Sequence, residues 1–251
     1  MLLRIHCQSL VVVVVLVISQ GLAAATNSTS PEAWVKAIQM RDVARLSLLL
    51  ENGFVDINLT NKKHKTALMV AAQAGDFPLC LALVTVGARI NVQNENGGTP
   101  LMHAAVGGDP EIVNLFLSAQ AQTDTAAVNG WTAVALAAAK GHVSIVDRLL
   151  RAGADPNLRD IFGWTPLMHA VEQERPETVA LFLQQPDIRV NLQNLDGVTA
   201  LHRAVAQGFR EISGMLVKSG ASIDLPDQAG RTAVDYARET GQTELLEDLG
   251  G

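Results

Sequence analysis

Apolar residues recur along the chain in short clusters at helical spacing, separated by polar turns. The first two clusters span 34–38 and 43–50, with an interruption near Arg41, and later clusters include 112–117 and 145–150. Apolar positions at this spacing predict a buried face on each helix. The pattern therefore predicts pairs of short helices that pack in thin layers.

Threonine, proline and glycine mark the ends of these predicted helices. Ser30 is a suitable N-cap for a helix that begins at Pro31, and Pro100 and Pro166 fit the first turn of later helices after a capping threonine. Glycine enters the left-handed conformation without strain and therefore ends helices. The glycines at predicted helix ends are Gly53, Gly75, Gly87, Gly108, Gly141, Gly153, Gly208, Gly220 and Gly241.

One of these segments recurs at a fixed period. Six threonines each begin a Thr-Pro/Ala-Leu/Val-x-x-Ala segment, with successive spacings of 33, 33, 33, 34 and 33 residues. A fixed period of this length is the sequence mark of a repeat array. The six are Thr66, Thr99, Thr132, Thr165, Thr199 and Thr232.

The recurring residues resemble those of the ankyrin repeat over nearly all of the chain that follows the first 25 residues. The fullest copy opens at Asp160 and continues through Phe162-Gly163-Trp164-Thr165-Pro166-Leu167-Met168-His169-Ala170. The resemblance implies an all-α repeat fold, an ankyrin-repeat solenoid of helix-turn-helix units joined by β-hairpin fingers. The predicted finger residues are Asn94, Asp160, Asn194 and Asp227, with Gly97, Gly163, Gly197 and Gly230.

The first residues have the order of a secretory signal peptide. Arg4 gives a positive start, Leu10–Ile18 is an unbroken apolar run, and Ala23–Ala25 supplies small residues for cleavage. The run is shorter than the about 20 residues that span a bilayer. An uncleaved anchor that extends to Ala25 is the alternative. We expect an exported protein that begins near Thr26, without stable membrane insertion after cleavage, periplasmic or, as the second choice, extracellular.

These features divide the chain into a leader, a linker, a first unit without a finger, five full repeats and a closing unit. Repeat arrays need terminal units with polar outer faces, and Glu244, Glu247 and Asp248 supply one at the end. The predicted boundaries are 1–25 for the signal peptide, 26–30 for the linker, 31–60 for a divergent N-terminal cap, 61–93, 94–126, 127–159, 160–193 and 194–226 for the repeats, and 227–251 for the C-terminal capping repeat.

The charge balance is acidic. The chain has a net charge of -6, and removal of the leader takes away Arg4 and no acidic residue, which leaves 18 Lys+Arg against 25 Asp+Glu, or -7. An acidic chain without a basic stripe is poorly suited to nucleic acid. A short cluster, Lys62-Lys63-His64-Lys65, occupies the first finger and is either a solvated turn or a binding patch. Cys80, the one cysteine after the leader, is predicted to be a buried thiol.

Two places depart from the repeat pattern. Gln120 replaces a helix-ending glycine and Ala127 replaces the finger Asp or Asn, so we expect the finger within 119–128 to be the least well fixed. In the fourth repeat, Glu174 stands at a helix-ending glycine position and the segment 185–187 carries one extra residue. Loops accept such insertions at little cost, so drift is a sufficient explanation.

No catalytic constellation, cofactor loop or metal-ligand pair is recognisable in the sequence. The resemblance implies that His202 braces neighbouring loops. His142 follows a helix-ending glycine, a position that also favours a structural role. His103 and His169 follow a methionine and are predicted to point elsewhere, two repeats apart, which is too far to share a metal. We therefore predict no enzyme activity, no cofactor and no metal site.

The predicted binding residues are aromatic and lie in the fingers. Trp131 and Trp164 occupy equivalent positions in adjacent repeats, so they are expected about 10 Å apart on one face. Exposed tryptophan and arginine are common interface hot spots. The alternative is that each ring packs on the next finger. The complete prediction for the site is Trp131, Phe162, Trp164, Val198 and Arg231, with a polar rim from Gln73, Lys140, Glu172, Gln173 and Gln207.

The sequence thus predicts a non-catalytic protein that binds another protein on its concave finger and inner-helix surface. The resemblance implies a preformed surface, which needs little ordering on association. Two narrower hypotheses stay open. One is a dedicated inhibitor, immunity or protective factor for a single envelope enzyme or toxin, and the other is a secreted effector that binds host proteins.

Overall fold

The structure is a computed structural model that describes residues 29–242. The predicted signal peptide, the linker residues 26–28, and the polar face of Glu244, Glu247 and Asp248 lie outside the described residues.

Thirteen helices occupy the described residues, and within residues 29–242 no residue is assigned to a strand. Successive helices form the helix-turn-helix pairs that the sequence predicts, which confirms the fold class. Their bounds are α1 Pro31–Met40, α2 Val43–Glu51, α3 Ala67–Ala74, α4 Phe77–Thr85, α5 Pro100–Gly107, α6 Pro110–Ser118, α7 Ala133–Lys140, α8 Val143–Arg151, α9 Pro166–Glu172, α10 Pro176–Leu183, α11 Ala200–Gln207, α12 Arg210–Lys218 and α13 Ala233–Glu239.

The described residues divide into two compact units, unit 1 over 29–121 and unit 2 over 122–242. The division falls within 119–128, where the sequence departs from the repeat pattern. In unit 1 the first helices α3 and α5 pack together, as do the second helices α2, α4 and α6. In unit 2 the first helices α7, α9, α11 and α13 pack in order, and so do the second helices α8, α10 and α12.

The threonine caps predicted from the sequence are confirmed. Thr165 Oγ1 accepts a hydrogen bond from Met168 N at 3.2 Å, and the other five capping threonines accept the same bond from the third residue of their helices. Pro100 and Pro166 take the first helical positions. At the other end of the first helices, Gly75 has φ +73°, while Glu174 takes the equivalent place with φ 50°.

The fingers are tight hairpin turns, which contain no β-strand within the described residues. In the finger 160–164, Asp160 N donates to Trp164 O at 2.9 Å, and a single backbone bond of 2.9 Å, from Leu195 N to Phe162 O, joins this finger to the next one. One such bond between neighbouring fingers is too few to form a ladder. Within residues 29–242 the fingers therefore join successive helix pairs as hairpin turns without a strand ladder.

Acidic and amide side chains fix most of these turns from within. Asp160 Oδ1 accepts from Phe162 N at 2.9 Å and from Trp164 N at 2.8 Å. Ala127 cannot make these bonds, although Ala127 N still donates to Trp131 O at 2.9 Å. Asn129 Oδ1 supplies a longer bond to Trp131 N, at 3.3 Å. This finger keeps the turn with weaker side-chain support.

The buried thiol predicted for Cys80 is confirmed, since its side chain is fully buried in α4. Burial, followed by the carboxylates of Asp76 and Asp109, raises the pKa of Cys80 to about 12. A thiol held neutral in this way is a core residue and a poor nucleophile.

Candidate protein-binding surface

The two predicted tryptophans lie on either side of a histidine. The ring centroid of His169 is 4.0 Å from that of Trp131 and 5.4 Å from that of Trp164. Both tryptophans are half-buried and His169 is buried. The sequence predicted neighbouring tryptophans on one face, and the structure places them together around a residue that was not predicted to contact them.

His169 is fixed by a bond to the base of its own finger. Its Nε2 lies 3.0 Å from Asp160 Oδ2. Burial lowers the pKa of His169, although the charge and hydrogen bond of Asp160 and the charge of Glu172 oppose that shift. The imidazole is therefore neutral near pH 7, with Nε2–H as the donor to the carboxylate.

An arginine from the next repeat continues this arrangement. The guanidinium carbon of Arg203 lies 5.5 Å from the ring centroid of Trp164. Arg203 is held there by Glu172, whose Oε2 accepts hydrogen bonds from both Nε and an Nη of the guanidinium. A cation placed over an indole face in this way gains cation–π attraction.

Arg231 is held in a similar way at the last finger. Its Nη2 lies 2.8 Å from Asp227 Oδ2, and its guanidinium carbon lies 4.5 Å from the ring centroid of Tyr236. The Tyr236 hydroxyl donates to the same carboxylate oxygen at 2.8 Å. Burial acts to raise the pKa of Asp227, but hydrogen bonds from Arg231, Tyr236 and Ala229 outweigh it and lower the pKa to about 2.

We call these side chains the inner stack: Trp131, His169, Trp164, Arg203, Tyr236 and Arg231. The predicted residue Val198 is half-buried in the finger between Trp164 and Arg231, where Asn194 Oδ1 accepts a bond of 2.8 Å from its backbone N–H. Being aliphatic, it interrupts the run of aromatic and cationic groups.

Sequence reasoning missed three members of the inner stack. Each of them stands four residues after a capping threonine, in the first helix of its repeat. That common position is the signal that could have identified them as a set: His169, Arg203 and Tyr236.

Two of the other histidines singled out in the sequence, His202 and His103, also have structural roles. His202 is fully buried, and its Nδ1 accepts a bond of 3.1 Å from Thr199 N. Burial lowers the pKa of His202, while backbone groups of Arg231 and Leu225 favour the protonated ring. His103 Nε2 lies 3.1 Å from Asn94 Nδ2 in its own finger.

A second feature of unit 2 lies at the finger tips. Val128, Ile161 and Leu195 each follow the first residue of a finger, and they are 74%, 55% and 57% exposed. Phe162, the one predicted residue among them, is 61% exposed. We call these four residues the tip row. Among the described residues of unit 2, no other large hydrophobic side chain is exposed.

The tip row is specific to three consecutive fingers. The equivalent positions in unit 1 are Lys62 and Glu95, and the position in the last finger is Gln228. Backbone bonds join these three fingers, from Ile161 N to Asn129 O at 3.2 Å and from Leu195 N to Phe162 O at 2.9 Å. The apolar side chains are thus displayed from turns that are already fixed.

Within residues 29–242, no group of three or more His, Cys, Asp or Glu side chains is arranged to hold a metal ion. The same part of the chain contains no helix that is both long and apolar enough to cross a membrane.

Comparison with known proteins identifies the family. A family model described as ankyrin repeats (3 copies) matches in overlapping registers over residues 35–125, 68–160, 102–194, 136–227 and 167–249. The chain belongs to the ankyrin-repeat family.

The solved structures that are similar to the chain include the following two. One is a chain from the complex between the predatory endopeptidase Bd0816 from Bdellovibrio bacteriovorus and immunity protein Bd3460. It is 31% identical in sequence and has a TM-score of 0.67, and the match covers 74% of this chain and 97% of that chain. The other is the human ASB11 ankyrin repeat domain, with 25% identity, coverage of 87% of this chain and 97% of that chain, and a TM-score of 0.74.

A shorter match is found to a curated protein. The tyrosine-protein kinase HTK16 of Hydra vulgaris is 39% identical over 67 residues, which are 26% of this chain and 9% of that protein. This match covers a small part of a much longer relative.

Proposed function

We propose that the chain is an exported, non-catalytic protein that binds one partner protein through the tip row and the inner stack of unit 2. Ankyrin repeats are protein-interaction modules, and the tip row carries the proposal. Contiguous exposed apolar side chains on a soluble surface are characteristic of interaction sites. Isoleucine, leucine and phenylalanine each gain about 1.5–3 kcal/mol from full burial.

The inner stack supports the same role. Its tryptophans and arginines are the residue types most often found at interface hot spots. Glu172 and Asp227 already hold Arg203 and Arg231 in place. Fixed side chains lose little conformational freedom when a partner arrives, which reduces the entropy that opposes binding.

A narrower form of the proposal concerns the kind of partner. One similar solved chain comes from a complex between an endopeptidase and an immunity protein. That similarity favours, for this chain, the role of a dedicated inhibitor or protective factor for one enzyme of the cell envelope. An effector that binds host proteins is the alternative outcome, and a partner recovered only outside the cell would support it.

The proposed export rests on the first 25 residues, which lie outside the described part of the chain. N-terminal sequencing of the protein recovered from fractionated cells tests it. A mature protein that begins near Thr26 in the periplasmic fraction supports export. A protein that keeps its first residues in the membrane fraction would favour the uncleaved anchor.

The binding surface is tested with a variant that removes the tip row without disturbing the core. Tagged Ile161→Ser/Phe162→Ser/Leu195→Ser is compared with the parent and with Val55→Ser/Val86→Ser, since Val55 and Val86 are exposed apolar residues of unit 1, at 88% and 47%. All three proteins should unfold at similar temperatures, because the changed side chains are exposed.

We expect the parent and the control to capture the same partner from the native envelope fraction, and to bind the purified partner one to one. The tip-row variant should bind it at least about tenfold more weakly. Equal binding by the tip-row variant would exclude this surface. Inhibition is then measured by titrating the chain against the partner's peptidase activity, and a bound enzyme with full activity would exclude the inhibitor role alone.

A further inference from the structure

The first finger and the end of α1 carry a group of basic residues that the proposed function does not use. We call them the cationic patch: Arg41, Lys62, Lys63, His64 and Lys65. All are exposed except Lys65, which is half-buried. Burial, followed by repulsion from Arg41 and then from Lys63, lowers the pKa of Lys65.

Hydrogen bonds fix the backbone turn that carries the finger residues of the patch. Asn61 Oδ1 accepts hydrogen bonds from Lys63 N at 2.9 Å and from Lys65 N at 3.1 Å. Lys63 O accepts from Glu95 N in the next finger at 3.0 Å. The lysines therefore project from an ordered turn.

Two basic residues of the patch adopt a conformation that favours glycine. Arg41 has φ 55° and His64 has φ 53°. The equivalent residues of the following repeat are glycines, Gly75 with φ +73° and Gly97 with φ +76°. A side chain in this region is strained, and such strain is commonly found at functional positions. Only two other non-glycine residues within 29–242 have positive φ, Gln120 and Glu174.

The charges of the patch are also uncompensated. The ion pairs of Asp147, Asp160, Glu172, Asp227, Asp235 and Glu239 all join residues of unit 2. No described carboxylate is ion-paired with Arg41, Lys63 or Lys65, although the chain has an excess of acidic residues. Uncompensated like charges at a strained turn lower stability, and a bound anion would relieve the repulsion.

We propose that the cationic patch binds an acidic segment of a partner protein. Charge complementarity carries this assignment. The patch is confined to one finger and one helix end, which suits a few carboxylates on a short segment. A long polyanion such as nucleic acid, or an anionic membrane, would extend beyond the patch and meet the negative charge of the rest of the chain. The patch shares no residue with the tip row, so the failure of either proposal leaves the other standing.

The test measures binding of a fluorescent peptide of ten glutamates to the chain that begins at Thr26, by anisotropy, with a peptide of ten glutamines as the uncharged control. The patch variant is Lys62→Ala/Lys63→Ala/Lys65→Ala. Its matched control, Arg89→Ala/Arg189→Ala/Lys218→Ala, removes the same charge from three exposed positions elsewhere. We expect the parent to bind only the glutamate peptide, with affinity that falls as salt rises.

The patch variant should bind at least about tenfold more weakly, and the control within about twofold of the parent. A second variant, Arg41→Gly/His64→Gly, should bind more weakly while its Tm rises by a few degrees, because it releases backbone strain. Equal binding by the patch variant and the control would overturn the proposal. Tighter, patch-dependent binding of a single-stranded DNA of equal charge, or of anionic vesicles, would also overturn it.

Discussion

The carboxylate of Asp160 lies 3.0 Å from Nε2 of His169, so that a finger and the first helix of the same repeat hold each other in place. The same nine-residue separation joins Asn94 to His103 at 3.1 Å and Asp227 to Tyr236 at 2.8 Å. In the third repeat both positions are apolar, Ala127 and Leu136. Three repeats thus have a hydrogen-bonded pair at these positions, and the third repeat has an apolar pair.

Two substitutions of Asp160 should distinguish the effect on stability of losing a hydrogen-bond acceptor from the effect of losing a negative charge. Asp160→Ala removes the acceptor for His169 and for two finger N–H groups, and should cost about 3 kcal/mol. Asp160→Asn should cost less than about 1 kcal/mol, because an amide can donate to the other histidine tautomer, as it does in the Asn94–His103 pair.

Urea unfolding monitored by tryptophan fluorescence measures both changes, since Trp131 and Trp164 flank His169. Equal destabilisation by the two variants would show that the negative charge itself, and not the hydrogen-bond geometry, stabilises this contact.

Acidification should destabilise the protein through its buried and half-buried histidines. Burial, followed by the charges of Lys65 and Arg41, lowers the pKa of His103 from 6.5 to about 4. Between these two pH values the unfolded chain binds more protons, so the free energy of unfolding falls as the pH falls, by about 1–3 kcal/mol for this residue. Asp227, with a pKa of about 2, keeps its contribution throughout this window.

The measurement is urea unfolding between pH 7.5 and 4.5 for the parent and for His103→Gln, which retains a polar partner for Asn94. The variant should lose less stability on acidification than the parent. If the free energy of unfolding fell equally with pH in the two proteins, His103 would not be the cause of the pH dependence, and His169 and His202 would be the next residues to examine.

The parts of this structure that the sequence predicted depend on residues close together in the chain. A threonine and the third residue of the helix that it caps are neighbours, so the caps could be read directly. The inner stack joins residues that are 38 and 39 positions apart, Trp131 with His169 and Trp164 with Arg203. Only the register between neighbouring repeats brings these side chains together.

The tip row was missed for a different reason. The sequence search favoured aromatic finger residues and therefore found Phe162 but not the aliphatic Val128, Ile161 and Leu195. Whether a finger residue faces the next helix or the solvent depends on the turn geometry, and hydrophobicity alone does not reveal it. The binding role of the five predicted site residues stays a prediction.

Replacement of Gln120 by glycine should stabilise the protein. Gln120 has φ 62°, at the helix end where the preceding repeat has Gly87 with φ 93°. Relief of the left-handed strain, less the greater entropy of glycine in the unfolded chain, should give about 0.5–1 kcal/mol.

The reverse change, Gly87→Gln, provides the matched control, because a Cβ built on Gly87 meets nothing within 4 Å and its cost is confined to the backbone. It should lower the stability by a similar amount. Thermal unfolding of the two variants and the parent measures both changes in stability. A loss of stability in Gln120→Gly would show that the glutamine side chain makes a contact that offsets its backbone strain.

Replacement of Asp124 by asparagine should stabilise the protein. At the equivalent position, Asn157 Oδ1 accepts from Arg189 N at 2.8 Å and its Nδ2 donates to Asp187 O at 3.0 Å. Asp124 makes the first of these bonds, to Asp155 N at 3.1 Å, but a carboxylate has no hydrogen to make the second. Asp124→Asn should therefore add about 0.5–1 kcal/mol.

The control for this change is Asn157→Asp, which removes the donor where it is already used and should cost about 1 kcal/mol. Chemical denaturation at moderate salt limits the contribution of general charge effects. If both variants gained or both lost stability, net charge rather than the hydrogen bond would be the cause.

Ser213 should be a site where an apolar residue increases stability. It is fully buried in α12, and its Oγ has no hydrogen-bond partner in the described structure. The equivalent residues of three earlier repeats, Val113, Val146 and Val179, are all fully buried. Ser213→Val removes an unsatisfied hydroxyl and buries more apolar surface, so the free energy of unfolding should rise by about 1 kcal/mol.

The opposite substitution, Val146→Ser, should lower it by about 2 kcal/mol, because it creates both an unsatisfied hydroxyl and a small cavity. A decrease for Ser213→Val would mean that the space around α12 is too small for the two added methyl groups, and that overpacking outweighs the removal of the hydroxyl.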